Sequence, residues 1–529
     1  MSDKSTRDRV MDKPLSAEWE RVNFGDPAMR KLYLHLSKAG KGAYRENYLL
    51  SNAVYSKSDL PLETLNSYLT GKEPEKVSFL FKINKILHYF VKSFSWLLLR
   101  LFQGLVHQLS GQKFIPDSSK SLTIIDIPIM PSHIIKDQDL VDRYFPRLED
   151  RLKLKGINYA YVPKFFGSET LKLCYQIFYL LKQNKRPVIF DLQLLGVFDY
   201  LKMFKFILVY PFQVLNKISQ RCHSREDRIL RNLLWETMDH ATVKNYARQL
   251  FGMRISQLNI PSIRCVSWFE NQPQDKNFFK GLKAFQRKVS IFGAQLYNWP
   301  GTLLNHYVDE NQSEFGFMPD RMIVNGTYYL RGEGFLDYKV GPSMRYSRLF
   351  ETEIYSPKKT SLLILMPIFE YEIKKILEII QEAALTQEVL MKFHPSTDSG
   401  KYLKYLQGKV GIVEGDIYIF FNQVECVIGK ATGALVEAAS LGIPIINIET
   451  GPGLSHNYMP QFGKEVIWGS ASTGAEIRDW IGKFHNFLLT EPEKIRYIAR
   501  KYKEMFFCEP TDKGIDEAFD LDRTGKTQL

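Results

Sequence analysis

The sequence predicts an α/β protein built as two doubly wound domains behind a helical N-terminal region, and three observations lead there. At 529 residues the chain is too long for one hydrophobic core and fits two or three domains. From Leu122 onward, short apolar runs of strand length alternate with stretches of helical periodicity, the pattern of parallel sheets covered by helices. Between Glu388 and Glu449 the order is strand, loop, strand, helix, strand, a βαβ unit with a ligand-ready crevice.

Residues 1–76 are polar and mostly helical in pattern, broken by Gly40, Gly42, Pro61 and Pro74. Residues 77–109 are rich in Phe, Leu, Ile and Trp, but Lys82, Lys85, Lys92 and Arg100 leave no run near the roughly 20 residues that span a bilayer. This stretch has no acidic residue. It fits either a helix lying in the headgroup plane of an anionic leaflet or an amphipathic helix packed on the first domain with solvated lysines. A second basic and aromatic patch, 200–218, carries Lys202, Lys205 and Lys217. The first buried strand is expected at 122–127, closed by Pro128, with further strands at 158–162, 187–190, 263–268, 289–292 and 322–324. Residues 331–357, with glycines, prolines and few aliphatics, read as the interdomain connection. The second domain opens with a strand at 361–366 and continues with strands at 388–393 and 426–429. Thr432 is the expected N-cap of a helix over 433–442, stopped by Gly442 and followed by a strand at 443–448, and 475–507 is helical in pattern. The expected division is 1–115, an N-terminal helical and basic-aromatic region; 116–345 and 346–510, two Rossmann-like domains; and 511–529, a tail.

Composition narrows the partners. A formal charge of +13 and a pI near 9.2 imply attraction to polyanions: nucleic acid, anionic lipid or acidic glycan. No recognised nucleic-acid motif accompanies the charge, so nucleic acid is not an expected partner. Cys174, Cys222, Cys265, Cys426 and Cys508 are scattered, odd in number and without CxxC spacing, which indicates neither a disulfide framework nor a zinc site. The charged N-terminus has no apolar segment behind it, and a cytoplasmic location is expected.

Open parallel sheets bind ligands outside the carboxyl ends of their strands, and a helix N-terminus there favours phosphate. His394, with Pro395, ends one strand of the βαβ unit, and Gly429-Lys430-Ala431-Thr432-Gly433 leads from the next into its helix. Glu437 follows Gly433 by four positions and shares its helix face. In the first half, Glu270 follows a strand, where a carboxylate with hydrogen-bond reach can deprotonate an acceptor hydroxyl. Equally, it can cap the next helix or pair with Arg264 or Lys276. Asn271, Gly293, Gln295, Asn325 and Gly326 lie at strand ends as candidate lining residues, the glycines letting substrate approach the backbone or simply making turns. No metal is expected: Asp137 and Asp139 form a DxD pair, but in an acidic, helical stretch where i and i+2 diverge.

His394-Pro395, followed by Thr432-Gly433-Ala-Leu-Val-Glu437-Ala-Ala-Ser-Leu-Gly442-Ile-Pro444, resembles the nucleotide site of two-domain GT-B glycosyltransferases. The group it resembles includes bacterial sialyltransferases, Kdo transferases and CDP-glycerol polymerases. With Trp268-Phe-Glu270-Asn-Gln272 and Val324-Asn325-Gly326, it is similar to a class of surface-carbohydrate biosynthesis proteins. The resemblance spans roughly residues 120 to 510 and is sharp only in the C-terminal half. It implies a central cleft between the domains, with the donor phosphate on His394 and Thr432, the ribose on Glu437, and Pro395, Lys430 and Gly433 completing the nucleotide site. The group often shows two hydroxyl residues at the helix start, where this chain has Ala431-Thr432. The implied activity is an inverting, metal-independent glycosyl transfer in lipopolysaccharide, O-antigen or capsule synthesis. Its donor would be a CMP-activated Kdo- or sialic-acid-like sugar and its acceptor a lipid-linked glycan at the inner face of the plasma membrane. The alternatives are a CDP-alcohol phosphotransferase of teichoic-acid type and a non-catalytic carbohydrate-assembly protein.

Overall fold

The computed structural model describes residues 31–32, 34–36, 38, 68, 78–167, 169–219, 224–285, 288–300, 306–308, 310–331, 334–353, 361–367, 370–394, 397–405, 410–450 and 457–522. Nearly all of the expected N-terminal segment 1–76, together with Pro395 and Cys222, lies outside them.

Strands β1 (Leu122–Ile129), β2 (Tyr159–Phe165), β3 (Ile263–Trp268), β4 (Val289–Ala294), β5 (Arg321–Val324) and β6 (Asp337–Val340) form one sheet, in the order β2-β1-β3-β4-β5-β6. Every pairing in it is parallel. β1 is buried along its whole length, as its nearly continuous apolar run requires for a strand covered on both faces. The expected strand at 187–190 survives only as a single parallel bridge from Val188 to Tyr161 of β2. Pro187 brings no N–H to a ladder, and a short helix begins at Asp191. β6, in contrast, lies inside the stretch expected to be a connection. It is an edge strand alternating between exposed and half-buried residues, so it carries no apolar run to betray it.

Helix α1 (Phe79–Ser110) precedes the sheet, capped by the Ser78 hydroxyl and ended by Gly111 in the left-handed region at φ 65°. It packs on α2 (Leu171–Gln183), α3 (Val197–Ser219) and α4 (His240–Ser256), burying Tyr89 and Leu97 among Met203, Ile207 and Tyr210. Of its four cations, Arg100 is buried and paired with Asp191 and Glu169, and Lys85 pairs with Glu236 at 3.2 Å. α5 (Pro273–Leu282) follows β3. Among the described residues, no helix is long and apolar enough to cross a membrane.

The second sheet repeats the plan. Strands β7 (Ser361–Leu365), β8 (Val389–Lys392), β9 (Val410–Ile412), β10 (Val424–Gly429), β11 (Ile445–Ile448) and β12 (Trp468–Ala471) run parallel in the order β12-β11-β10-β7-β8-β9. Helix α6 (Glu370–Ala383) follows β7, and α7 (Ala434–Ser440) links β10 to β11. After β12, α8 (Gly474–Thr490) leads into α9 (Pro492–Phe506), which returns to the first domain with Phe506 against Tyr328 at 4.2 Å and Phe507 against Tyr346 at 4.9 Å. Within the stretch expected as a tail, the described residues pack on the first domain: α10 (Asp512–Ala518) docks through Asp516 and Arg151, 3.0 Å apart, with Phe519 between Phe145 and Phe292.

Two Rossmann-like sheets joined this way form the GT-B architecture. In each, the strand order reverses once, between β1 and β3 and between β7 and β10. These are the switch points at which open parallel sheets take ligands.

Candidate active site

The first switch point rests on buried charge. Asp126 of β1 pairs with Arg248 and with Lys164 of β2 at 3.2 Å, and accepts from the Ser267 hydroxyl at 2.8 Å. Lys164 reaches on to Asp275 at 2.8 Å, whose other oxygen accepts from the backbone N–H groups of Glu270 at 3.1 Å and Gln272 at 3.2 Å. Asp275 and Gln272 form the capping box of α5, so Glu270 does not cap that helix. Arg264, one of the two cations offered as its partner, donates to the Asp520 carbonyl at 2.8 Å. Asn271 holds the turn at φ 57°, a left-handed conformation that asparagine tolerates better than most residues.

The Glu270 backbone is thus anchored at the end of β3 through its N–H to Asp275. Burial, reinforced by the Asp275 charge, raises its pKa from 4.5 to about 7, against the opposing pull of Lys164 and Arg345. It faces the other domain. After burial, the Glu270 charge is the main influence pushing up the phenols of Tyr297, which follows β4, and Tyr458, which follows β11.

At the second switch point Glu437, in the first turn of α7, accepts from the Tyr418 hydroxyl at 2.6 Å. Burial raises its pKa from 4.5 to about 7, while Tyr418 and Arg345 pull it down. Arg345 is exposed in the chain between β6 and the second domain, and donates to the Leu296 carbonyl at 3.3 Å. One guanidinium therefore acts on both raised carboxyls. Beside it, Asn298 donates to the Gly433 carbonyl at 3.2 Å, its side-chain oxygen accepts from Tyr329 at 2.9 Å, and its backbone N–H donates to Tyr346 at 3.1 Å. That pins the loop after β4 to the start of α7.

The expected nucleotide residues fare differently from one another. His394 is exposed just past β8, in a turn closed by Thr397 N–H to its carbonyl at 2.8 Å. Partial desolvation lowers its imidazole pKa, favouring the neutral ring. Thr432 lies past β10, and β7 stands between β8 and β10. The strands that carry the two residues are therefore two strand spacings, about 10 Å, apart. Thr432 is not the N-cap. That place falls to Gly433, though the Thr432 hydroxyl still accepts from Ala434 N–H at 3.4 Å. Ala431, at φ 52°, holds the strained turn of this loop. Lys430 is buried, paired with Glu372 of α6 at 2.8 Å and bonded to the Thr450 hydroxyl.

The candidate lining residues also turn inward. A Cβ on Gly326 would overlap the Met505 carbonyl, and one on Gly293 would come within 2.9 Å of Pro319, so the chain itself approaches these glycines. Gln295 accepts from Asn325 N–H at 3.0 Å, the Asn325 carbonyl accepts from Ser343 at 2.9 Å, and Asn271 donates to Gln312 at 3.3 Å. All five of these residues are buried. Asp137 and Asp139 are engaged by Arg143 at 2.6 Å and Arg186 at 2.8 Å. Among the described residues, no three His, Cys, Asp or Glu side chains cluster to hold a metal.

Sequence reasoning missed Arg345, Tyr297, Asn298, Tyr418 and Tyr458. The signal for three of them is weak but present: Tyr297-Asn298-Trp299 follows a strand directly, and Met344-Arg345-Tyr346 is an aromatic and basic cluster in an otherwise loop-like stretch.

No family model matches the chain, and no curated protein matches it. Solved structures with a similar arrangement include MurG of Acinetobacter baumannii, 10% identical, covering 76% of this chain and 99% of its own, with a TM-score of 0.39. The calicheamicin glycosyltransferase CalG4 is 12% identical over 76% of this chain and 97% of its own, at 0.41. A UDP-GlcNAc 2-epimerase from Neisseria meningitidis bound to UDP-GlcNAc is 12% identical over 76% and 98%, at 0.38. Likeness this low says nothing of chemistry, and the fold assignment rests on the two strand orders themselves.

Proposed function

We propose that the chain is an inverting glycosyltransferase that uses a nucleotide-activated sugar. The observation that carries this reading is the placement of Glu270 just after β3 and of Glu437 in the first turn of α7, one at the switch point of each sheet, each a carboxyl that burial raises to about pKa 7. A carboxylate with that pKa is half ionised at neutral pH and suited to accept a proton in the transition state. In the proposed reaction Glu270 takes the proton of an acceptor hydroxyl as its oxygen bonds to the anomeric carbon. The bond from that carbon to the nucleotide phosphate breaks on the opposite face. The nucleotide leaves with the electron pair, its phosphate held by His394, Thr432 and the loop before α7, and its ribose by Glu437. Because those groups meet the leaving charge, the reaction as proposed needs no divalent ion and survives EDTA.

For the donor we propose a CMP-linked acidic sugar and for the acceptor a lipid-linked glycan of surface polysaccharide synthesis at the inner face of the plasma membrane, on the motif resemblance and the +13 net charge. Thermal shift against CMP, CDP, UDP and GDP tests the site. A ligand at about 100 times its Kd stabilises by about 2.7 kcal/mol, and we expect CMP to give the largest shift and His394→Ala to remove most of it. Stabilisation by none of the four would refute a nucleotide site. Release of CMP with a phosphorylated polyol, rather than with free sugar, would make the reaction a phosphoalcohol transfer.

A further inference from the structure

Helices α1 and α3, 32 and 23 residues long, lie against each other through Tyr89 with Tyr210 and Phe94 with Phe204, their ring centroids 6.1 and 5.6 Å apart. Their inner faces are buried, but their outer faces are apolar too. On α1, Leu87, Val91 and Leu98 are 58, 63 and 55% exposed, and on α3, Phe198, Leu201 and Phe212 are 75, 57 and 70% exposed. Spacings of four and seven on α1, and of three and eleven on α3, keep each set on one side of its helix. Apolar rows gathered in this way on the outer sides of two paired helices mark an interaction site.

The charge on this face selects the partner. α1 contains no Asp or Glu, and the one acid of α3, Asp199, is buried and bonded to Arg254 at 2.8 Å. The exposed charges flanking the apolar rows are Lys92, Lys202 and Lys205. A second copy of the chain would set lysines against lysines across a two-fold contact, which disfavours self-association. An anionic lipid surface offers hydrocarbon for the aromatic and aliphatic rows and phosphate for the lysines.

We propose that the paired outer faces of α1 and α3 dock the protein in the headgroup plane of an anionic bilayer, with both helices lying along it. α1 alone provides a footprint about 48 Å long. The docking cations are Lys92, Lys202 and Lys205. Of the cations that the sequence offers for this role, Arg100 is buried and Lys85 is paired with Glu236. The inference rests on exposure and charge and does not depend on the reaction proposed above.

The test is flotation of the full chain with vesicles of phosphatidylcholine alone and of phosphatidylcholine with phosphatidylglycerol, without any nucleotide. Wild type is expected to float with the anionic vesicles and to lose most of that binding as salt rises from about 0.05 M to 0.5 M, where surface charges are screened over a few ångströms. Phe198→Ser with Phe212→Ser, and separately Lys202→Glu with Lys205→Glu, are each expected to weaken binding at least tenfold, with an unchanged circular dichroism spectrum and Tm. Should an α3 variant misfold, Val91→Ser with Lys92→Glu on α1 makes the same test. Equal flotation of wild type and folded variants would overturn the proposal. So would a wild-type dimer in solution that the α3 variants dissociate, because the face would then be a subunit contact.

Discussion

The two sheets share one strand plan, yet their carboxyl edges are built in opposite ways. Beneath Glu270 the first sheet carries four fixed charges, Asp126, Lys164, Arg248 and Asp275, all tied to one another. The second sheet presents a strained loop, a short helix and hydroxyl groups. At the end of β10, Lys430 is turned inward to Glu372. The first edge positions a titratable group by its backbone and tunes it through nearby charge. The second carries its buried ion pair, Lys430 with Glu372, away from the loop that starts α7. Identical topology thus supports two jobs, and the difference lies in where the buried ions sit.

The sharpest way to break that comparison is at the first edge. Glu270→Gln is expected to lower kcat by about 10²- to 10⁴-fold with donor affinity unchanged, as the loss of a general base does. In wild type, kcat/KM should fall as pH drops below about 7, where Glu270 becomes protonated, and this limb should vanish in the variant. Stability carries the opposite sign. A carboxyl raised from 4.5 to about 7 on folding destabilises the folded state progressively as pH rises between those values, so wild type should lose stability relative to Glu270→Gln over that window. An unchanged kcat would move the base elsewhere.

At the second edge, Lys430→Met should destabilise the protein by about 3 to 5 kcal/mol in urea unfolding, since it strands the buried carboxylate of Glu372. Adding Glu372→Leu should restore much of the loss. If Lys430→Met left stability intact and abolished nucleotide binding, the lysine would be a ligand and the contrast between the edges would fail. A smaller effect is expected at Ala431, whose φ of 52° suits glycine. Ala431→Gly should stabilise the fold by up to about 1 kcal/mol, measured as an increase in Tm, and a decrease would show that the methyl group packs.

How much of this was legible follows from burial. Strands such as β1 and β10, covered on both faces, declare themselves as apolar runs bounded by breakers, whereas the edge strand β6 alternates with Asp337 and Lys339 and reads as a linker. Glu270 and Glu437 were readable because each follows a strand or a helix start at a fixed distance. The inward turn of Lys430 was not, because Glu372 lies on a different element and only the packing of α6 brings the two charges together. Arg345 stayed hidden for a related reason: its role exists only once both domains face it. The glycines misled because a close backbone approach looks the same in sequence whether a substrate or the chain's own helix approaches, and at Gly326 it is α9.

The central claim is that one cleft joins Glu270 and Glu437 through Arg345. Site-resolved ¹³C titration of the glutamate carboxyl groups in wild type and Arg345→Met tests it directly. Because Arg345 lowers both carboxyls from the value burial would give them, its removal should raise both titration midpoints above their starting point of about 7. Movement of only one midpoint, or of neither, would show that the two carboxylates do not share a site.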